Sequence, residues 1–143
     1  MSENRPRRDV LGWVRKAEED RAMALYLNPD LHPNGICFHC QQCIEKYLKA
    51  LLVSHDETPE RMHDLIALGT ESADHVPEVK DIFPDLEFLN PYSVMIRYPD
   101  RDADPGEARD AVEAMDHART VLRSILAVPG DDTTTGAPCA ETL

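Results

Sequence analysis

A chain of 143 residues with 42% hydrophobic content can bury one core and is too short for two comfortable domains. Its net charge of -12 repels polyanions, which counts against nucleic-acid binding through a broad basic face and leaves only a local contact. No apolar run approaches the roughly 20 residues that span a bilayer, and the opening M-S-E-N-R-P-R-R lacks the apolar core of a secretory signal, so the expectation is a cytoplasmic protein without a membrane partner.

After an N-terminal arm of residues 1–6, residues 7 to 27 set Val10, Trp13, Val14, Ala17, Ala24 and Leu25 on one helical face, predicting a first helix anchored by Trp13. Asp20 and Arg21 intrude on that face, where a structural salt link or an interface contact is favoured over catalysis. The segment Asn28-Pro29-Asp30-Leu31-His32-Pro33-Asn34-Gly35 concentrates turn formers and breaks the helix, so the second helix is expected to begin just after it.

That second helix, C-F-H-C-Q-Q-C-I-E-K-Y-L-K-A-L-L-V from Cys37 to Val53, is the centre of the pattern. Cys37, Cys40, Ile44, Tyr47, Leu48 and Leu51 form one stripe, the mark of a helix buried along one side. Beside it, Gln41, Glu45 and Lys49 recur every four residues as a polar row that is either buried in an interface or left in water. The spacing of Cys37, Cys40 and Cys43, with His39 among them, superficially suggests a metal site. Ligands must converge on one point, whereas on a continuous helix Cys37 and Cys43 diverge by about 120°. Packing by small thiols is the expectation, with no metal and no cofactor. The fourth cysteine, Cys139, lies in the tail, and a reducing cytosol would not preserve a disulfide framework.

Thr58, Pro59 and Glu60 have the order of a cap, a first-turn proline and a first-turn acid, predicting a third helix that carries Met62, Leu65, Ile66 and Leu68. His63 and Asp64 stand together near its start, but neighbours on a helix point about 100° apart and cannot readily bond each other. Asp64 there also suits the helix dipole. From Val76 to Tyr98 three prolines cut the chain, giving one broken helix with Ile82, Phe83, Leu86, Leu89, Tyr92 and Ile96 inward. Arg97 to Asp102 is a charged loop. Asp104, Pro105 and Glu107 then supply a capping-box-like start for a last helix to about Ala127, with the stripe Ala108, Ala111, Val112, Met115, Ala118, Leu122 and Ile125. Residues 128–143 are small, polar and without period, a flexible tail. No run alternates with period two. The predicted fold is all-α, an antiparallel bundle of four to five helices over residues 7–127.

The run F-H-C-Q-Q-C-I-E-K-Y-L-K-A-L-L from Phe38 to Leu52 resembles the signature helix of HEPN domains (higher eukaryotes and prokaryotes nucleotide-binding). The opening helix with Trp13, Ala17 and Asp20, the His63-Asp64-Leu65 step, and Arg97-Tyr98-Pro99 ahead of an alanine-rich helix follow in the family's order. The resemblance implies a helical bundle that commonly forms homodimers, often beside a small nucleotidyltransferase acting as antitoxin. It also implies, for many members, metal-independent ribonuclease activity from an arginine followed by a histidine four to six residues on. Here the pattern departs: Arg97 leads to Tyr98, Pro99, Asp100, Arg101, Asp102 and Ala103 without a histidine.

Two functions follow as expectations. The first is a nucleotide-binding or interaction module, the toxin-side member of a pair with a nucleotidyltransferase. Its candidate ligand-binding residues are Arg97, Tyr98, Asp100, Arg101, Gln41, Glu45 and Lys49. Arginine offers a planar fork to phosphate and tyrosine a stacking face; equally, Arg97 pairs with Asp100, Asp102 or Glu45. The second is an endoribonuclease in which Arg97 stabilises phosphate charge and His63 acts as base or acid.

Overall fold

A computed structural model describes residues 7–59 and 61–129. The expected arm at 1–6, the acid Glu60, and the tail from residue 130 with Cys139 lie outside the described residues. Val128 and Pro129, assigned to the tail, are held in place, the first donating its N–H to the Arg123 carbonyl and the second accepting from the Arg123 guanidinium.

The first helix, α1 (Arg8–Tyr26), buries Val10, Val14, Ala17, Asp20 and Ala24. Asp20 thus occupies a true core-facing position, and Leu25, one residue round from Ala24, is exposed rather than buried. The carbonyl of Asn28 then accepts from the N–H groups of Leu31 and His32. α2 begins at Pro33 and runs to Ser54, earlier than expected. Proline at the first helical position has no N–H to leave unsatisfied, so Pro33, Asn34 and Gly35 open the helix instead of ending the turn.

α3 (Leu65–His75) corrects the expected cap. Thr58 and Pro59 lead only into a turn, in which the Met62 N–H donates to the Pro59 carbonyl. The N-cap is Asp64, whose carboxylate accepts from the N–H groups of Ile66 and Ala67, while the Asn90 side-chain oxygen accepts from that of Leu65. Three orphan donors of the first turn are satisfied there, which Thr58 stands too far upstream to do. The proline-cut stretch becomes a 3-10 turn (Pro77–Ile82), α4 (Phe83–Leu89) and the short α5 (Tyr92–Met95). Ile82, Leu86, Leu89 and Tyr92 are buried as expected. Ile96 is exposed because α5 has ended before it. α6 (Pro105–Leu126) opens with the anticipated capping box between Asp104 and Glu107.

The fold is all-α, with no strand among the described residues. α1 runs antiparallel to α2, since Arg7 bonds Asp56 while Asp20 reaches His39 and Lys46. It is antiparallel to α6 as well, Arg21 meeting Asp116 and Glu18 meeting Arg119. α2 and α6 run in the same sense: Asn34 holds residues 102 and 103 at one end, and Tyr47 meets Arg123 further along. The return between them is made by α3 to α5. α2 is buried on most of its circumference, with Cys37, Cys40, Cys43, Ile44, Tyr47 and Leu48 inaccessible to solvent. No helix among the described residues is long and apolar enough to cross a membrane.

Candidate functional site

The loop after α5 is built from both ends. Upstream, the N–H groups of Arg97 and Tyr98 donate to the carbonyls of Val94 and Met95, so the chain leaves α5 in a tight turn. Downstream, the side chain of Asn34 donates to Asp102 at 2.8 Å and accepts the Ala103 N–H at 2.7 Å. Ala103 is buried and Asp104 enters the capping box. Between these pins Arg97, Tyr98, Asp100 and Arg101 are all exposed. Asp102 is engaged by Asn34, and Glu45 by other groups described below, so the alternative pairings of Arg97 do not form. Among the described residues no side-chain hydrogen bond or ion pair engages Arg97 or Arg101. Two guanidinium forks flank a tyrosine ring on a loop anchored at both ends, an arrangement suited to phosphate and to a stacked base.

The polar row of α2 has a different environment. Gln41, Glu45 and Lys49 are buried, with the last two side chains only 4% exposed. Lys49 Nζ lies 3.1 Å from Glu45 Oε2 and 5.5 Å from the centre of the Trp13 ring, a cation–π distance. Gln41 and Gln42 donate to the second carboxylate oxygen, each at 3.3 Å. His63 closes the set, its Nδ1 2.9 Å from Glu45 Oε2 and its side chain 68% exposed. What reaches solvent from this buried row is therefore one imidazole, held by a carboxylate through one nitrogen. As the adjacency argument required, His63 and Asp64 do not bond each other.

His63 and Arg97 attach to different parts of α2. The arginine loop is tied to Asn34 and the imidazole to Glu45, roughly 16 Å further along at 1.5 Å per residue. Among the described residues no hydrogen bond or ion pair joins the two side chains.

The three helical cysteines are free thiols, fully buried. Burial pushes the Cys37 thiol up to about 12, that of Cys40 further still, and that of Cys43 well above its ordinary value. They remain protonated at neutral pH, and the thiolate needed for nucleophilic attack or metal ligation is suppressed. Among the described residues no group of three or more histidine, cysteine or acidic side chains is arranged to hold a metal. A cleft of about 410 Å³ lies elsewhere, between Trp13, Val53 and Pro59, but Asp9, Asp56 and Glu57 line it beside Arg7, a charge balance unsuited to phosphate.

One polar cluster was missed by sequence reasoning. Glu18 takes a two-pronged bond from Arg119 at 2.7 and 3.0 Å and a hydrogen bond from the Tyr47 hydroxyl, which in turn accepts from Arg123 at 2.9 Å. The cluster clamps α1, α2 and α6 together. Its signal was available: Arg119 falls four residues after Met115 and three before Leu122, a charge on an apolar stripe.

A family model described as HEPN domain matches residues 10–127. No curated protein and no solved structure matches the chain.

Proposed function

Because the chain belongs to the HEPN domain family, we propose that it is a nucleotide- or RNA-binding module whose contact surface is the loop carrying Arg97, Tyr98, Asp100 and Arg101. The observation that carries this reading is the pair of exposed arginines without side-chain partners among the described residues, on a loop fixed by Asn34 and by the α6 capping box. In a protein of net charge -12, cations released from internal pairing are the groups able to attract phosphate locally. Buried Gln41, Glu45 and Lys49 serve this reading as the frame that presents His63, not as direct ligand contacts. The chain acts as a homodimer and as the toxin-side member of a pair with a small nucleotidyltransferase, a role supported by the family membership.

The test is binding of a fluorescent single-stranded RNA by the pure protein, followed by co-purification with the product of the neighbouring gene. Arg97→Ala and Arg101→Ala should each weaken RNA binding, and together abolish it, without altering the fold. Tight binding by the double variant would end this reading.

A second reading is metal-independent RNA cleavage, in which Arg97 stabilises phosphate charge and His63 transfers the proton. It is favoured by the Glu45–His63 bond, which fixes one ring nitrogen and turns the imidazole into an oriented acid or base. Cleavage in the presence of a chelator that disappears in both Arg97→Ala and His63→Asn would support it. Binding without cleavage would leave the first reading alone.

A further inference from the structure

The arginine loop holds an acid that phosphate binding does not explain. Between Arg97 and Arg101 stands Asp100, exposed and without a side-chain bond among the described residues, although Arg101 is its neighbour in sequence. A carboxylate left unpaired beside two guanidinium groups repels the phosphate they attract, and an asparagine, a serine or a glycine shapes a turn as well as an aspartate does. The turn itself fixes where that carboxylate stands. The Arg101 N–H donates to the Tyr98 carbonyl at 3.2 Å, which closes Tyr98-Pro99-Asp100-Arg101 as a β-turn with Pro99 at the corner that its fixed φ favours. The Cα atoms of Tyr98 and Arg101 are then within about 7 Å of each other, and Asp100 sits on the short connection between them. Tyr98 is 54% exposed, so its ring is open to a base.

We infer that Asp100 reads the base stacked on Tyr98 and that this base is guanine. The inference rests on the loop being the RNA contact, and it names the nucleotide that the loop selects. The reason lies in what a carboxylate offers. It has two acceptor oxygens and no donor, so it matches only an edge that presents two donors side by side. On the Watson–Crick edge of guanine the N1–H and the N2 amino group stand together. Adenine and cytosine set one amino group beside an accepting ring nitrogen, and uracil flanks its one N–H with two carbonyls, so each turns a lone pair toward the carboxylate.

The acid supplies what its neighbours lack. Arg97 and Arg101 hold phosphates of any sequence alike, and a tyrosine ring stacks on every base. Repulsion of phosphate by Asp100 is offset only when its oxygens are taken by the base between the two arginines. In a duplex that edge of guanine is already paired, so the loop selects an unpaired guanine in a single strand.

Fluorescence anisotropy of the full chain with short uridine-rich single strands that differ at one central position tests the inference. Guanine there should bind about tenfold more tightly than adenine, cytosine or uracil, the discrimination given by one two-pronged contact. Hypoxanthine, which keeps N1–H and lacks the amino group, should bind about threefold more weakly than guanine. Asp100→Asn keeps a turn-forming residue and gives the side chain one accepting oxygen beside one donating nitrogen. The preference should then pass to adenine and cytosine, whose edges pair an amino group with an accepting nitrogen, and the circular dichroism spectrum should not change. Stacking strength alone predicts a different pattern, since it treats guanine and hypoxanthine alike and does not respond to Asp100. Equal binding of all strands by the unaltered protein, equal binding of guanine and hypoxanthine, or a guanine preference that survives Asp100→Asn overturns the inference and leaves the arginine loop as an RNA contact without base selection. Binding of no strand, or binding unchanged by Arg97→Ala with Arg101→Ala, removes the RNA reading of the loop and the inference with it.

Discussion

Replacing Glu45 by glutamine separates a structural from a ligand-binding role for the polar row of α2. The substitution keeps the shape and removes the charge. Glu45 and Lys49 are each 4% exposed and 3.1 Å apart, so the variant keeps a buried ammonium while removing the charge of the carboxylate beside it. Breaking a buried pair from one side costs roughly 3–5 kcal/mol. A domain of this size is stable by about 5–15 kcal/mol, so the variant should still fold but with a large share of its stability gone. For a urea slope of about 2 kcal/mol/M the midpoint should fall by roughly 1.5–2.5 M. Lys49→Met with Glu45→Leu should lie much closer to the starting protein, because an apolar pair of similar volume avoids the desolvation of both charges. The coupling energy from the full cycle should exceed about 1 kcal/mol. If Glu45→Gln leaves the urea midpoint in place yet destroys RNA binding, the row is a ligand site and the burial argument is wrong.

The arginine loop predicts a salt dependence. For single strands each phosphate contact contributes about 0.7 to the slope of log affinity against log salt. From 50 to 200 mM salt two contacts per chain therefore cost about sevenfold in affinity, and Arg97→Ala should reduce that loss to about 2.6-fold; an unchanged slope would place the contact elsewhere. Burial raises the Glu18 carboxyl, but hydrogen bonds from Arg119 and Tyr47 outweigh it and hold the folded value below the usual carboxylate value. The stability Glu18 contributes is present above its unfolded value and is lost as pH falls through the folded one, so Glu18→Gln should flatten the drop in unfolding free energy between about pH 5 and pH 3. Parallel curves for the two proteins would refute it. A thiol-alkylating reagent followed by peptide mapping should leave Cys37, Cys40 and Cys43 unmodified in the native protein and label all three in denaturant; native labelling of Cys43 would mean that the core opens readily.

Local chemistry made much of the fold legible. The capping box at Asp104 and Glu107, the prolines that fragment residues 77–91, and the apolar stripe of α2 act within a few residues, and those elements formed where their local signals put them. The third-helix cap failed for a related reason. Thr58-Pro59 and Asp64 both carry start signals, and choosing between them depended on Asn90, which donates to the Asp64 carboxylate from 26 residues away in sequence and accepts the Leu65 N–H. Leu25 and Ile96 were expected inside because their apolarity is visible in sequence, whereas the presence of a facing element is not.

The sequence by itself determined an all-helical domain of the HEPN family, packed around the cysteine-bearing helix, and singled out Arg97, Tyr98 and Arg101 as the corner where phosphate chemistry is possible. Periodicity and capping are short-range, so they survive in a one-dimensional string. Only the tertiary structure decided that α2 and α6 run in the same sense, that Gln41, Glu45 and Lys49 are sealed while His63 remains open, and that the two arginines are left unengaged while Asp102 is taken by Asn34. Those outcomes depend on which distant side chains come within about 3 Å of one another, a distance at which hydrogen bonds and ion pairs form and which chain order does not encode.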